Sequence, residues 1–174
     1  MKLRCDLHVN GGARKLVLVP GIQETDEHLA MKLAAYLLFW DLEPIVEASA
    51  KHPALASQEF IPDLMALDET GAIKLWVGCG KVTMHKMGKL SRRHPGARLV
   101  VMRASEREAR RLRGDMEDKV DRQASVEVLA WPQTSFKEWL QALQERTEVY
   151  GDAGGRTLNF VVNQRPFVAE LLSF

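Results

Sequence analysis

Several groupings of side chains in this sequence could do chemistry. The first is a single carboxylate, Asp63, set in an otherwise apolar run, IPDLMALDETGAIKLWVGCGK, over residues 61–81. The second is a basic stretch over residues 82–94, where Lys86, Lys89, Arg92 and Arg93 could neutralise phosphates. The plainer reading of that stretch is a solvated helix face. The third is the thiol of Cys79, left sterically open by Gly78 and Gly80 and followed by Lys81, whose charge would lower its pKa. No His, Asn or Asp constellation accompanies it at a readable spacing, so an inert thiol is expected. In Cys5-x-x-His8, two ligands with no second pair nearby make a weak metal signal, and His8 reads as a solvent-facing strand residue. Gly151-Asp152-Ala153-Gly154-Gly155 lacks the Lys-Ser/Thr and following helix of a phosphate loop and reads as a hairpin turn.

The element that must position Asp63 is a β-hairpin. Its strands are expected over residues 62–67 and 72–78, joined by the turn chemistry of Asp68-Glu69-Thr70-Gly71. If Leu67 faces Ala72, Asp63 falls opposite Trp76 and diagonal to Gly78. Asp63, Met65, Lys74, Trp76 and Gly78 would then share a mixed face, the floor of a cleft. Leu64, Ile73, Leu75 and Val77 would share an aliphatic face, the core.

Pro62-Asp63 ahead of a hairpin resembles the metal site of the PD-(D/E)XK nuclease superfamily, where the second strand supplies an acid and, two residues later, a lysine. Glu24-Thr25-Asp26-Glu27 before an apolar helix, Pro62-Asp63-Leu64, Gly71, and Leu75-Trp76-Val77-x-x-Gly80 resemble the YaeQ family within that superfamily. The family typically reads Leu-Trp-Ile/Val-Glu-x-Gly; this chain has Gly78 in place of the acid, and Lys81 follows by three residues rather than two. On a strand that parity turns Lys81 away from Asp63 unless Gly80 kinks the chain. The resemblance implies a restriction-endonuclease-like core and two alternative functions. In one, catalysis is lost and the chain is a binding module for nucleic acid or protein. In the other, it is a Mg²⁺-dependent nuclease. Asp63 would ligate the metal, Glu24 or Glu27 would complete its shell, and Lys81 would stabilise charge developing on phosphate. Mg²⁺ is a cofactor only on the second reading.

Composition sets the frame. The chain has 174 residues, 46% of them hydrophobic and 27% charged, with a net charge of +1. That fits one globular domain over residues 1–174 and excludes a global polycation, so nucleic acid would have to meet a local patch. The two cysteines suggest a reducing, cytoplasmic setting. The densest apolar stretch, residues 33–40, is too short to span a bilayer. The oligomeric state is not encoded in any pattern we can read.

The remaining elements follow from periodicity. Residues 2–9 alternate as a half-buried strand, Asn10-Gly11-Gly12 turns the chain, and residues 16–19 return. Residues 24–41 form a helix capped by Thr25, apolar nearly all round except for a stripe of Glu24, Glu27, His28 and Lys32. Residues 42–58 read as a surface loop with a short strand near Ile45-Val46. Helices are expected over 82–94, 106–121 and 136–145, alternating with buried strands over 97–102 and 126–130. Short strands with Gly-rich turns occupy the tail. The order implies an α/β fold, a central mixed β-sheet flanked by helices, with extra β-hairpins at the N- and C-termini.

Overall fold

The computed structural model describes residues 1–48, 51–56 and 58–174. Strand β1 (Leu3–Val9) buries every second residue, as its alternation requires. It turns at Asn10-Gly11, both with positive φ (51° and 79°), the requirement of a tight two-residue hairpin, into β2 (Gly12–Leu18). Helix α1 (Asp26–Leu38) begins where the Thr25 hydroxyl accepts the His28 N–H at 3.2 Å. Every residue from Leu29 to Leu38 is buried, including Lys32. The helix ends sooner than expected, in a short 3₁₀ turn at Trp40–Leu42.

Strands β3 (Ile45–Val46), β4 (Leu64–Leu67) and β5 (Ile73–Cys79) follow. Then come α2 (Met84–Arg93), β6 (Arg98–Arg103), α3 (Glu106–Lys119), β7 (Val126–Ala130) and α4 (Ser135–Ala142). The tail supplies β8 (Arg146–Gly154), β9 (Thr157–Val162), β10 (Arg165–Glu170) and β11 (Leu172–Ser173). The strands form two mixed sheets. The six-stranded sheet, β11-β7-β6-β5-β4-β3, is parallel at β5, β6 and β7 and antiparallel elsewhere. The expected terminal hairpins come together as one five-stranded sheet, β10-β9-β8-β1-β2, because β1 and β8 pair in parallel. β8 runs on through Gly154, so the turn sits later than the glycine run suggested.

The apolar face of the five-stranded sheet (Leu3, Leu7, Val149, Phe160) and one face of the six-stranded sheet (Leu64, Leu75, Val77, Val100) share one core with α1 and α4 between them. The other face of the six-stranded sheet (Trp76, Leu99, Val101, Val128) packs on α2 and α3 through Met87, Leu90, Leu112 and Met116. Among the described residues no helix is long and apolar enough to cross a membrane.

The hairpin is present, with a different register. Asp68, not Leu67, closes the turn on Ala72 (N···O 2.8 Å), because the Asp68 carboxylate accepts from the backbone of both Thr70 and Ala72. Lys74 is then the extra residue of a bulge between the Ala66–Leu75 and Leu67–Ile73 pairs. Met65 therefore faces Trp76, and Ile73 packs with the Trp76 core rather than with Leu75 and Val77.

Candidate functional site

Asp63 precedes β4 and donates its N–H to the Val77 carbonyl at 3.0 Å. Its carboxylate lies on the α1 side of the sheet, where Val77 and Cys79 point, and not on the Trp76 side. Asp63 thus departs from its expected face, which Met65, Trp76 and Gly78 do share. On that side Met65 and Trp76 are fully buried.

One Asp63 oxygen, Oδ2, accepts the Cys79 N–H at 2.7 Å; the other, Oδ1, lies 3.1 Å from Nε2 of His28. Nδ1 of the same ring is 2.6 Å from Oε2 of Glu24. The spacing Glu24, His28, Lys32 advances four residues each time, which stacks the three on one side of α1 and the turn before it. Lys32 Nζ meets Glu24 Oε2 at 2.6 Å and Glu47 Oε1 at 3.3 Å. Glu24 also accepts the Gly21 N–H through Oε1 at 3.1 Å. A continuous chain, Asp63–His28–Glu24–Lys32–Glu47, therefore ties α1 to the hairpin and to the segment after β3.

A carboxylate at each ring nitrogen of His28 favours the imidazole that donates from both. The hydrogen bond to Asp63 holds its pKa above the ordinary histidine value, with the Glu24 charge adding and burial and Lys32 opposing. Burial pushes the Asp63 carboxyl up, but His28 and the Cys79 N–H outweigh it and leave the pKa lowered. Glu24 follows the same pattern, with burial overcome by Lys32, the Gly21 N–H and His28. Burial would lower Lys32; Glu24 and Glu47 reverse that and hold it charged.

Glu24, His28 and Asp63 of this network line a cleft of about 670 Å³. The residues that leave β5 (Cys79, Gly80, Lys81) and β6 (Met102, Arg103, Ala104) line it too, with Cys79 and Gly80 directly against Asp63 and His28. The cleft thus lies at the carboxyl ends of two parallel strands, the usual ligand crevice of an open α/β sheet. Lys86 reaches it from α2, with its ammonium 5.3 Å from the Phe60 ring and 5.2 Å from the Trp76 ring.

The expected residues distribute as follows. Asp63 and Glu24 meet through His28. Glu27 is exposed on the cleft rim, with no ion pair among the described residues. Lys81 and Lys86 line the cleft. Lys89 does not: it pairs with Glu59 at 2.8 Å. Arg92 and Arg93 are exposed in the last turn of α2, outside the cleft. Sequence reasoning placed His28 and Lys32 on the stripe without a role, although their four-residue spacing from Glu24 was the available signal. It gave no role to Arg103, Glu108 or Phe136, which also line the cleft. Their meeting depends on how distant strands pair.

The donor set does not fit Mg²⁺. Such an ion needs several oxygen ligands, waters included, around carboxylates free to take it. Here both Asp63 oxygens are engaged, Glu24 is held by Lys32, and the His28 ring stands between the two acids. Position 78 offers no remedy: a Cβ on Gly78 would lie 2.9 Å from the Trp76 ring and 3.3 Å from Val82, on the Trp76 side of the sheet. Among the described residues no group of three or more His, Cys, Asp or Glu could hold a metal ion. Nor is Cys79 open as its flanking glycines suggest. It is buried, and burial with the Asp63 charge pushes its thiol far above the ordinary range. Cys5 is likewise buried and pushed up to about 12, while His8 stacks on Tyr150 at 4.6 Å on the outer face, so the two are not a ligand pair.

The model of the YaeQ protein family matches residues 19–160. The fold is similar to that of the YaeQ protein from Xanthomonas axonopodis pv. citri, with a TM-score of 0.74 at 19% identity over 99% of this chain and 96% of that one. It is also similar to the YaeQ protein from Pseudomonas syringae, with a TM-score of 0.69 at 14% identity over 99% of this chain and 93% of that one. No curated protein matches the sequence. The chain belongs to the YaeQ family.

Proposed function

We propose that this YaeQ family member binds nucleic acid in the cleft at the carboxyl ends of β5 and β6, and does not cut it. One observation carries the reading. Lys81, Lys86 and Arg103 line one cleft, and none of them makes an ion pair among the described residues. Lys32, Lys89, Arg98 and Arg110 all do. Burial draws the Arg103 guanidinium below its ordinary pKa, and the Glu108 charge only partly offsets this. A half-buried cation without a partner is costly unless an anion reaches it. Phosphates are such anions, and the three cations share the cleft with Glu24 and Asp63, which are paired, and with Glu27 and Glu108. Resemblance to the PD-(D/E)XK nucleases supports the same ligand class, with Gly78 where that group carries its second acid. The free thiols Cys5 and Cys79 support a cytoplasmic setting.

Mg²⁺-dependent cleavage is the second reading, favoured by the meeting of Asp63 and Glu24 at one imidazole. The His28 ring between them weighs against it. Incubation of labelled DNA and RNA with the protein, in Mg²⁺ or in chelator, separates the two. The binding reading expects intact strands and a complex that weakens as salt rises. Cleavage that requires Mg²⁺ and disappears in Asp63→Ala would overturn it.

A further inference from the structure

We infer that nucleic acid held in the cleft continues along α2, whose basic stripe takes the phosphates beyond the cleft. This rests on the nucleic-acid reading above and adds the path and length of the ligand. The basic residues of α2 are His85, Lys86, Lys89, Arg92 and Arg93, and the helix carries no acid. At 3.6 residues per turn all five fall within one arc of about 120°. Met87 and Leu90, on the opposite arc, are buried against the sheet. His85, Arg92 and Arg93 are exposed, and Lys86 and Lys89 half-buried. Lys86 also lines the cleft, so stripe and cleft are continuous.

A solvated helix face looks different in this molecule. On α3, acids and bases are interspersed, and Arg110 pairs with Glu106 four residues before it. On α2 the neighbours three and four residues apart, Lys86 with Lys89 and Lys89 with Arg92 and Arg93, are of like charge, and such pairs weaken a helix. The helix dipole favours Arg92 and Arg93 in the last turn but disfavours Lys86 in the first. Glu59 is the carboxylate that reaches the stripe. It pairs with Lys89 at 2.8 Å in an exposed contact, and Lys89, with Arg93 and His85 adding, holds its carboxyl below the usual range. Among the described residues Lys86, Arg92 and Arg93 make no ion pair. The cleft is more evenly charged, since Lys81, Lys86 and Arg103 share it with four carboxylates, Glu24, Glu27, Asp63 and Glu108. The chain's net charge is only +1, so the excess on α2 is local, as a polyanion site requires. A lipid surface would need apolar side chains beside the cations, and no large hydrophobic of α2 is exposed. The 10 residues of α2 rise about 15 Å, the length of about four phosphates along one strand.

The test varies the length of the ligand. Fluorescence anisotropy at a series of salt concentrations compares labelled single strands of about 4 and about 12 nucleotides. The short strand, confined to the three cleft cations, is expected to give a slope of about −2 in log K against log salt. The long strand, which adds Lys89, Arg92 and Arg93, should give about −4. Arg92→Ala/Arg93→Ala, a change at exposed positions, should bring the long strand to about −3 and leave the short one unaffected. Arg107→Ala/Arg111→Ala removes two exposed cations from α3 instead and should alter neither strand. Equal slopes for the two lengths would overturn this inference while the phosphate reading stands. So would a loss on α3 matching that on α2, or tighter binding to phosphatidylserine vesicles than to the long strand. Absence of salt-sensitive binding to both strands would remove both readings.

Discussion

Two groups of charges, one centred on α1 and one after β5 and β6, are held in different ways. In the first, Glu24, His28, Lys32, Glu47 and Asp63 satisfy one another, and Lys32 and Glu24 keep only 8% and 10% of their side chains exposed. In the second, Lys81, Lys86 and Arg103 make no ion pair among the described residues, although the Glu108 charge acts on Arg103. The first arrangement fastens a helix to a hairpin, and its charges are already spent on each other. The second leaves charge available to something outside the protein. A residue's type does not say which role it plays; its partners do.

This contrast can be broken at the paired group first. Lys32→Ala would leave Glu24 and Glu47 without their cation, and removing one partner of a buried charged pair costs about 3 kcal/mol or more. Urea unfolding should show that loss, while the folded variant still binds nucleic acid. A change within about 0.5 kcal/mol, the range of an ordinary surface substitution, would mean that the network holds nothing together. Gly78→Glu comes next. It adds an acid at position 78, yet its side chain would press on Trp76, so a loss of about 2 kcal/mol is expected from overpacking. No Mg²⁺-dependent cleavage should appear, because position 78 faces away from Asp63. Cleavage gained by this variant would contradict the assignment of faces.

His28 sharpens the comparison through pH. Its pKa is raised in the folded state, so the stability it contributes is complete below the ordinary histidine value and is lost as pH rises through the raised one. Asp63 and Glu24 are lowered, so their contribution is present above the ordinary carboxylate range and fades as pH falls through their folded values. Urea midpoints between about pH 6 and pH 9 should therefore decline in the native protein, and His28→Gln should flatten that decline. An unchanged slope in the variant would place the titrating group elsewhere. The smallest effect on stability belongs to the cations without an ion pair: Lys86→Ala should cost no more than about 1 kcal/mol, the worth of its contact with the Phe60 and Trp76 rings.

Much of this arrangement is legible in the residues. The alternation of β1, the Asn10-Gly11 turn, the Thr25 cap and the aliphatic set Leu64, Leu75 and Val77 follow from local pattern, and all are present. Asp63 leaves the expected face because it precedes β4, outside the strand's alternation, and its carboxylate turns to the Cys79 N–H and His28. Asp68 gathers two backbone N–H groups and closes the hairpin one residue later than assumed, and the Lys74 bulge moves the pairing again. The two shifts together keep Met65 on the Trp76 side and move only Ile73 from its expected face. The parallel pairing of β1 with β8, and the meeting of Arg103 with Lys81, join segments far apart in sequence. Local spacing carries no mark of such meetings. Glu47 reads as part of a loop because its role exists only once Lys32 is beside it.

The salt dependence of binding tests the central claim most directly. Three phosphate contacts to a short single strand imply a slope of about −2 in log K against log salt. The double variant Lys86→Ala/Arg103→Ala should bind more weakly, with a slope of about −0.7. The same slope in native protein and variant, or no binding to weaken, would contradict the account.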